Sequence, residues 1–235
     1  RDEKVKVLKA FDSINHDDLL LGQYTASEDG KNPGYFDDET VKNDSVQVTY
    51  AALGISIHNE RWDGVPIVLR AGKALDDSKV EIRIQFKPVA KGIFKEIQRN
   101  ELVIRIQPNE AVYMKINLKI PGILTETSLT ELDLTYASRY SKDFWIPEAY
   151  EALIRDCFLG NHLNFVRDDE LDVLWKLFTP LLEHIELRSE KPLPYAYGLK
   201  GPEGLRPFLE RHGYVMADAG TYQWPLTTPD VKGKM

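Results

Sequence analysis

Residues 101–119, ELVIRIQPNEAVYMKINLK, decide how this chain folds. Apolar side chains recur at every second position from Leu102 to Ile106, and the same period resumes after Pro108-Asn109. Alternation at period two places those side chains on one face of a strand. The link is too short for a crossover helix, so we expect the two strands to run antiparallel.

The alternating pattern recurs along the chain, and helical spacing replaces it later. Further strands are predicted near residues 19–24, 46–50, 80–86 and 132–134. Helices are predicted from Pro147 to Gly160, from Asp168 with a kink or a new start after Pro180, and over about 202–212. Strands followed by helices predict an α+β domain, a large and mainly antiparallel sheet with helices packed on one face.

One domain is predicted to take in all of residues 1–235. We assign 1–14 to the end of a helix whose beginning lies before Arg1, because the chain opens with Arg rather than Met and enters apolar helical spacing at once. Residues 45–136 form the sheet, 147–212 the helices and 213–235 an aromatic tail.

The polar face of the predicted sheet collects cations. Arg83, Arg105 and Lys115 occupy the positions opposite the apolar ones, with Tyr113 as a stacking surface and Asp133 as counter-ion or hydroxyl acceptor. Like charges on neighbouring strands are destabilising unless something neutralises them. Three interpretations remain open: a solvated face, a face covered by a second copy of the chain, or a site for a phosphorylated nucleotide.

A second concentration of cations lies in residues 59–86, NERWDGVPIVLRAGKALDDSKVEIRIQF. Arg70, Lys73, Lys79 and Arg83 fall within this hairpin-sized piece, around a turn at Gly72. Convergent positive charge of this kind suits a phosphate. The alternative is a solvated face with Lys79 paired to Asp76 or Asp77, since the segment lacks a phosphate-loop motif.

Composition excludes several classes of protein. The net charge of −7 argues against a general polyanion binder, although residues 70–119 carry eleven Lys or Arg against six Asp or Glu. No apolar run approaches the roughly 20 residues of a spanning helix. Cys157 is the single cysteine of the sequence, so an internal disulfide is excluded, and this cysteine content is typical of proteins of the reducing cytosol. We expect the Cys157 side chain to be buried and unreactive. The five histidines show no metal-ligand spacing, so we predict no metal site. The net charge and the short apolar runs predict that neither nucleic acid nor a membrane is a partner.

The chain resembles the C-terminal region of glucose-6-phosphate dehydrogenase, in particular the yeast-like eukaryotic enzymes. The resemblance keeps its order through nearly all 235 residues. It is carried by RDEKVKVLK, NERWDGVP with LRAGKAL, NELVIRIQPNEAVYMK, LDLTY, PEAYEALIRD, NFVRDDEL and FTPLL. The family oxidises glucose 6-phosphate to 6-phosphogluconolactone, with hydride transfer to NADP, in the oxidative pentose phosphate pathway of the cytoplasm.

The resemblance implies specific roles for residues of this chain. Lys73 matches a lysine that binds the substrate phosphate, and Gln107 matches a glutamine near the sugar. The family's catalytic histidine and Rossmann coenzyme domain have no counterpart here, so the chain alone is expected to be inactive. The positions that match a second, structural NADP site are Arg70, Lys79, Arg83, Arg105, Tyr113, Lys115, Asp133, Thr135, Lys200, Tyr222 and Trp224.

Two departures from the family pattern affect these sites. Ser78 stands where the human-type enzyme has an arginine near the substrate, and Lys200 replaces an arginine of the structural nucleotide site. Lysine keeps the charge but loses the planar, bidentate fork of arginine. The resemblance also implies a homodimer or homotetramer formed through the sheet. The alternative from another class is a stand-alone anion-binding or dimerisation module.

Overall fold

A computed structural model describes residues 1–89, 91–94, 97–123, 125–136, 147–217 and 224. Chain contacts divide it into two units, one formed by Arg1–Asp77 with Pro147–Met216, the other by Ser78–Ile146 with Ala217–Met235. The strands form two four-stranded sheets, one in each unit, instead of one large sheet. Seven of the eight strands are joined by antiparallel pairing, which confirms the α+β class with mainly antiparallel strands.

The sheet of the first unit has the order β3-β2-β1-β8. Its strands are β1 (Leu19–Thr25), β2 (Tyr50–Ile55), β3 (Ile67–Gly72) and β8 (Leu193–Ala196). The predicted strand near 46–50 begins only at Tyr50, and β8 was not predicted. It contains Pro194, which removes a ladder donor, and it pairs in parallel with β1 at the edge of the sheet, where proline is tolerated.

Four helices with described bounds belong to the first unit. They are α1 (Asp2–Lys9), α2 (Ala149–Leu159), α3 (Asp168–Arg188) and α4 (Leu205–Arg211). Helix α2 ends at Gly160 in the left-handed conformation, as predicted. Helix α3 continues through Pro180 as one element. Helix α4 supplies Leu205, Phe208 and Leu209 to a core shared with Tyr50, Ala52 and Tyr195 of the sheet.

The prediction for Cys157 was wrong, because its side chain is exposed. Helix α2 is rotated so that the neighbouring Asp156 is the buried residue. The Asp156 carboxylate accepts hydrogen bonds from the side-chain amides of Asn161 and Asn164, at 3.1 and 2.8 Å. These bonds compensate the burial of a charged group and fix the turn after the helix.

The sheet of the second unit is a meander of neighbouring antiparallel strands, as the alternation predicted. It consists of β4 (Val80–Gln85), β5 (Glu101–Gln107), β6 (Ala111–Lys119) and β7 (Thr127–Thr135), in that order. Its apolar face is the more exposed one, since Ile82 is 51% exposed and Leu132 62%. The polar face carries the buried residues, Val103, Ala111 and Tyr113 among them.

The two strand-like runs of residues 59–86 do not pair with each other. Strand β3 pairs with β2 in the first unit, whereas β4 pairs with β5 in the second. After β3 the chain makes a bridge from Leu75 to Leu199, and the second unit starts at Ser78. Within the described residues, no helix is both long enough and apolar enough to span a membrane.

Candidate functional site

Lys73 follows β3 with its side chain exposed and its backbone firmly held. Its N–H donates to the carbonyl of Thr49 at 2.9 Å, and its carbonyl accepts a hydrogen bond from the Tyr195 hydroxyl at 2.7 Å. The preceding Gly72 is required by close packing, because a Cβ there would lie 2.5 Å from the Tyr50 ring. A mobile cation is thus presented from a fixed backbone position.

Arg70 and Lys200 belong to the same unit as Lys73. Arg70 lies on β3 opposite Ala52, and Lys200 follows the Leu199 bridge. Both side chains are exposed. The other described residues predicted for the structural nucleotide site belong to the second unit, so the predicted set does not form a single cluster within either sheet.

The register of the second sheet confirms that the predicted polar residues share a face. Cross-strand partners line up in three rows, and all members of a row project to the same side of the sheet. The rows are Arg83, Val103, Tyr113 and Asp133; Glu81, Arg105, Ala111 and Thr135; and Gln85, Glu101, Lys115 and Glu131.

Carboxylates within this face pair with its cations. Arg83 donates from Nε to Glu81 at 2.6 Å and from Nη1 to Glu101 at 2.9 Å. The Lys115 ammonium lies 3.8 Å from Glu101, and both residues are almost fully buried. Burial lowers the pKa of Lys115, and the nearby Glu101 carboxylate opposes that effect. The neutralising groups are therefore glutamates from strands β4 and β5.

Asp133, predicted as a counter-ion or a hydroxyl acceptor, accepts a hydroxyl in the structure. Its carboxylate accepts the Thr135 hydroxyl at 2.7 and 2.9 Å. The Lys79 ammonium lies 3.7 Å from the Glu81 carboxylate. Burial raises the pKa of Glu81, but the hydrogen bond and charge of Arg83 outweigh it, and the net shift is downward.

An aromatic stack covers the centre of the polar face. The Trp224 indole lies parallel to the Tyr113 ring, with 4.9 Å between centroids, and the Arg105 guanidinium lies 5.1 Å from the indole. Burial raises the pKa of Tyr113 to about 12, which keeps its hydroxyl protonated. The indole Nε1 is buried and has no hydrogen-bond partner among the residues that the structure describes. Tyr222, the other predicted tail residue, lies outside the described residues.

Gln107 ends β5 at a cavity of about 560 Å³ in the second unit. The lining comes from two short stretches, Ser78–Val80 and Gln107–Glu110. Lys79 and Ser78 thus share a cavity with the glutamine assigned to the sugar. The polar groups of the lining include the Lys79 ammonium, the amides of Gln107 and Asn109 and the Glu110 carboxylate.

Sequence reasoning missed Glu101. Its position at the start of β5 places it on the polar face by the same alternation that found Arg105. The missing signal was the pairing of strands, which sets Glu101 opposite Lys115 and next to Arg83. Among the described residues, no group of three or more His, Cys, Asp or Glu is arranged to hold a metal ion.

Comparison with known proteins decides the family. The sequence profile described as "Glucose-6-phosphate dehydrogenase, C-terminal domain" matches residues 1–225. The chain belongs to the glucose-6-phosphate dehydrogenase family. It is 76% identical over 233 residues to the glucose-6-phosphate 1-dehydrogenase of Cyberlindnera jadinii, covering 99% of this chain and 47% of that protein.

Other relatives of the glucose-6-phosphate dehydrogenase family agree. The Kluyveromyces lactis enzyme is 65% identical, over 97% of this chain and 46% of its own length. A solved structure described as "Glucose-6-phosphate dehydrogenase in complex with its substrate glucose-6-phosphate" superposes with a TM-score of 0.84 at 64% identity, over 93% of this chain and 45% of that one. The Mycobacterium avium glucose-6-phosphate 1-dehydrogenase superposes with a TM-score of 0.72 at 28% identity, over 97% and 45%.

These matches confirm the family predicted from the quoted motifs. The chain spans about half the length of the curated relatives that it matches. The residue roles that the resemblance implied are a separate matter, and they are taken up as proposals.

Proposed function

We propose that this chain works as part of an enzyme that oxidises glucose 6-phosphate to 6-phosphogluconolactone in the cytoplasm, with hydride transfer to NADP. The observation that carries the proposal is the match of residues 1–225 to the dehydrogenase family. The test is an NADP reduction assay on the 235-residue chain and on a polypeptide of the relatives' full length. We expect turnover by the longer polypeptide and none by the 235-residue chain. Normal turnover by the 235-residue chain would contradict the proposal that it is only part of the enzyme.

Lys73 is proposed to bind the substrate phosphate. Its exposed side chain extends from a backbone that Thr49 and Tyr195 hold on both sides, which limits the positions that the ammonium samples. Gln107, at the 560 Å³ cavity, is proposed to contact the sugar. The lining combines one cation with two amides and the Glu110 carboxylate, and these groups suit the hydroxyls of a sugar better than a polyanion.

The phosphate role is tested by Lys73→Met in the full-length enzyme. A hydrogen bond to a charged group contributes about 1.5–3 kcal/mol, which predicts a rise of roughly 10- to 100-fold in KM for glucose 6-phosphate. Lys42→Met, at an exposed lysine in a loop, is the control. An unchanged KM in the Lys73 variant would remove the assignment.

The polar face of the second unit is proposed to hold a second, structural NADP. The buried Nε1 of Trp224, which has no hydrogen-bond partner among the described residues, and the Tyr113 ring suit an aromatic group with an acceptor, and Arg83, Arg105 and Lys115 suit its phosphates. Glu81 and Glu101 already pair with Arg83, and Glu101 also with Lys115, so the nucleotide would compete with these carboxylates. Bound there, NADP would add stability without taking part in hydride transfer.

Thermal unfolding in the presence of NADP tests the structural site. A ligand at 100 times its dissociation constant stabilises the folded state by about 2.7 kcal/mol, so the unfolding midpoint of the parent chain is expected to rise. Lys115→Ala is expected to abolish the rise. No shift in the parent chain would eliminate the site.

A homodimer or homotetramer is proposed to form through the second sheet. The exposed apolar side chains of Ile82, Ile106 and Leu132 lie on its outer face, and an apolar sheet face of this size is typical of an interface. Light scattering should give at least twice the monomer mass. Ile82→Asp is expected to lower that mass, and a monomeric parent chain would refute the proposal.

A further inference from the structure

Glu101 lies near the centre of the polar face and is only 3% exposed. Its Oε2 accepts a hydrogen bond from Arg83 Nη1 at 2.9 Å and lies 3.8 Å from Lys115 Nζ. Its Oε1 accepts from the amide of Gln85 at 2.8 Å. One buried carboxylate therefore joins side chains from three adjacent strands.

This carboxylate has the chemistry of a phosphate oxygen pair. The Arg83 guanidinium donates a hydrogen bond to it and the Lys115 ammonium forms an ion pair with it, and both cations would interact with a phosphate in the same way. Without an anion between them, the two cations would repel each other across β5, since Arg83 lies on β4 and Lys115 on β6. Glu101 removes that repulsion in the protein without ligand, and it occupies the donors that a phosphate would need.

We propose that Glu101 is an internal counter-anion that sets how tightly the polar face binds a pyrophosphate-bearing nucleotide. The inference rests on the proposed structural nucleotide site. Binding of the pyrophosphate transfers the donors of Arg83 and Lys115 from the carboxylate to the ligand. Glu101 thus stabilises the empty face and opposes the filled one.

The experiment is Glu101→Gln in the 235-residue chain, with inorganic pyrophosphate and NADP as probes in titration calorimetry. Glutamine preserves the shape and an acceptor oxygen but removes the charge, so both probes are expected to bind at least about tenfold more tightly. The unliganded variant is expected to unfold at lower denaturant concentration, because Lys115 loses its buried anion. If Glu101 had a merely structural role, the Glu101→Gln variant would lose stability without binding pyrophosphate or NADP more tightly.

Glu126→Gln is the matched control. Glu126 is exposed just before β7, so its loss changes the net charge equally while leaving the cations of the face untouched. Its affinity for pyrophosphate should stay within about twofold of the parent chain. Equal or weaker binding by the Glu101 variant overturns the proposal.

A second comparison applies if Glu101→Gln does not fold. Lys115→Met removes the buried cation that forms an ion pair with this carboxylate, so the double variant Glu101→Gln/Lys115→Met retains a folded core. It is expected to bind pyrophosphate more tightly than Lys115→Met alone, because Arg83 Nη1 no longer donates to a carboxylate. Equal or lower affinity in the double variant overturns the proposal.

The two proposals fail in different ways. If the parent chain binds no NADP while the Glu101 variant binds pyrophosphate more tightly, the nucleotide site fails and the counter-anion role stands. If the parent chain binds NADP and the variant binds neither probe more tightly, the counter-anion role fails alone. Absence of binding by both chains to both probes overturns both.

Discussion

Tyr195→Phe tests how the fold positions Lys73. The Tyr195 side chain lies in the core of the first unit, 3% exposed, and its hydroxyl donates to the Lys73 carbonyl at 2.7 Å. The hydroxyl also lies 3.2 Å from Thr49 Oγ1. Burial raises the pKa of this phenol, so it remains a donor at neutral pH.

The expected loss follows from those contacts. A neutral hydrogen bond contributes about 0.5–1.5 kcal/mol, and the unpaired Lys73 carbonyl adds a desolvation cost, so we expect the free energy of unfolding to fall by about 1–3 kcal/mol. In the full-length enzyme, KM for glucose 6-phosphate should rise several-fold, because the Lys73 backbone that positions the ammonium is no longer held by this hydrogen bond.

Urea unfolding and steady-state kinetics measure the two effects. Tyr197→Phe is the matched control: Tyr197 lies just after the same strand but is 37% exposed, and its loss of a hydroxyl should change stability by less than about 0.5 kcal/mol. If Tyr195→Phe unfolds at the same urea concentration as the parent chain, the Tyr195 hydroxyl does not stabilise the first unit. If stability falls but KM stays constant, the position of the Lys73 ammonium does not depend on this hydrogen bond.

Two further predictions concern Gly54 and His58 of the first unit. Gly54→Ala places a Cβ 2.2 Å from the His212 ring and should lower the free energy of unfolding in urea by about 1–3 kcal/mol. The control is Gly92→Ala in the second unit, where the new Cβ meets nothing within 3.4 Å and stability should not change. Equal effects of the two substitutions would contradict the close packing of Gly54. His58 contacts the Asp12 carboxylate, and that hydrogen bond and charge raise its pKa. Because the pKa of His58 is raised in the folded state, its stabilisation is complete below the unfolded pKa of about 6.5 and is lost as the pH rises through the folded pKa. His58→Gln should therefore lower the free energy of unfolding more at about pH 6 than at about pH 9. The opposite order would exclude the ion pair.

Much of the candidate site was predictable because it depends on local periodicity. The alternation along β4, β5 and β6 placed Arg83, Arg105 and Lys115 on one face, and the register of the strands confirms it. Periodicity does not say which face becomes buried. The polar face is the buried one because Trp224 stacks on Tyr113 and buried ion pairs satisfy the charges.

Pairing between distant segments lay beyond the sequence. Residues 59–86 looked continuous, but β3 pairs backwards with β2 while β4 pairs forwards with β5. Four residues of β8 are too short to give a periodic signal, although they complete the first sheet next to β1. Likewise, helical spacing alone could not show that α2 is rotated to bury Asp156 and expose Cys157.

The sequence by itself determined the family, the strand and helix segments, and which side chains share a strand face, because these depend on residues close together in the chain. Tertiary structure alone decided the division into two sheets, the burial of the polar face and the role of Glu101. Each of these depends on which strands meet, and a carboxylate 14 residues from Lys115 becomes its partner only when β5 pairs with β6.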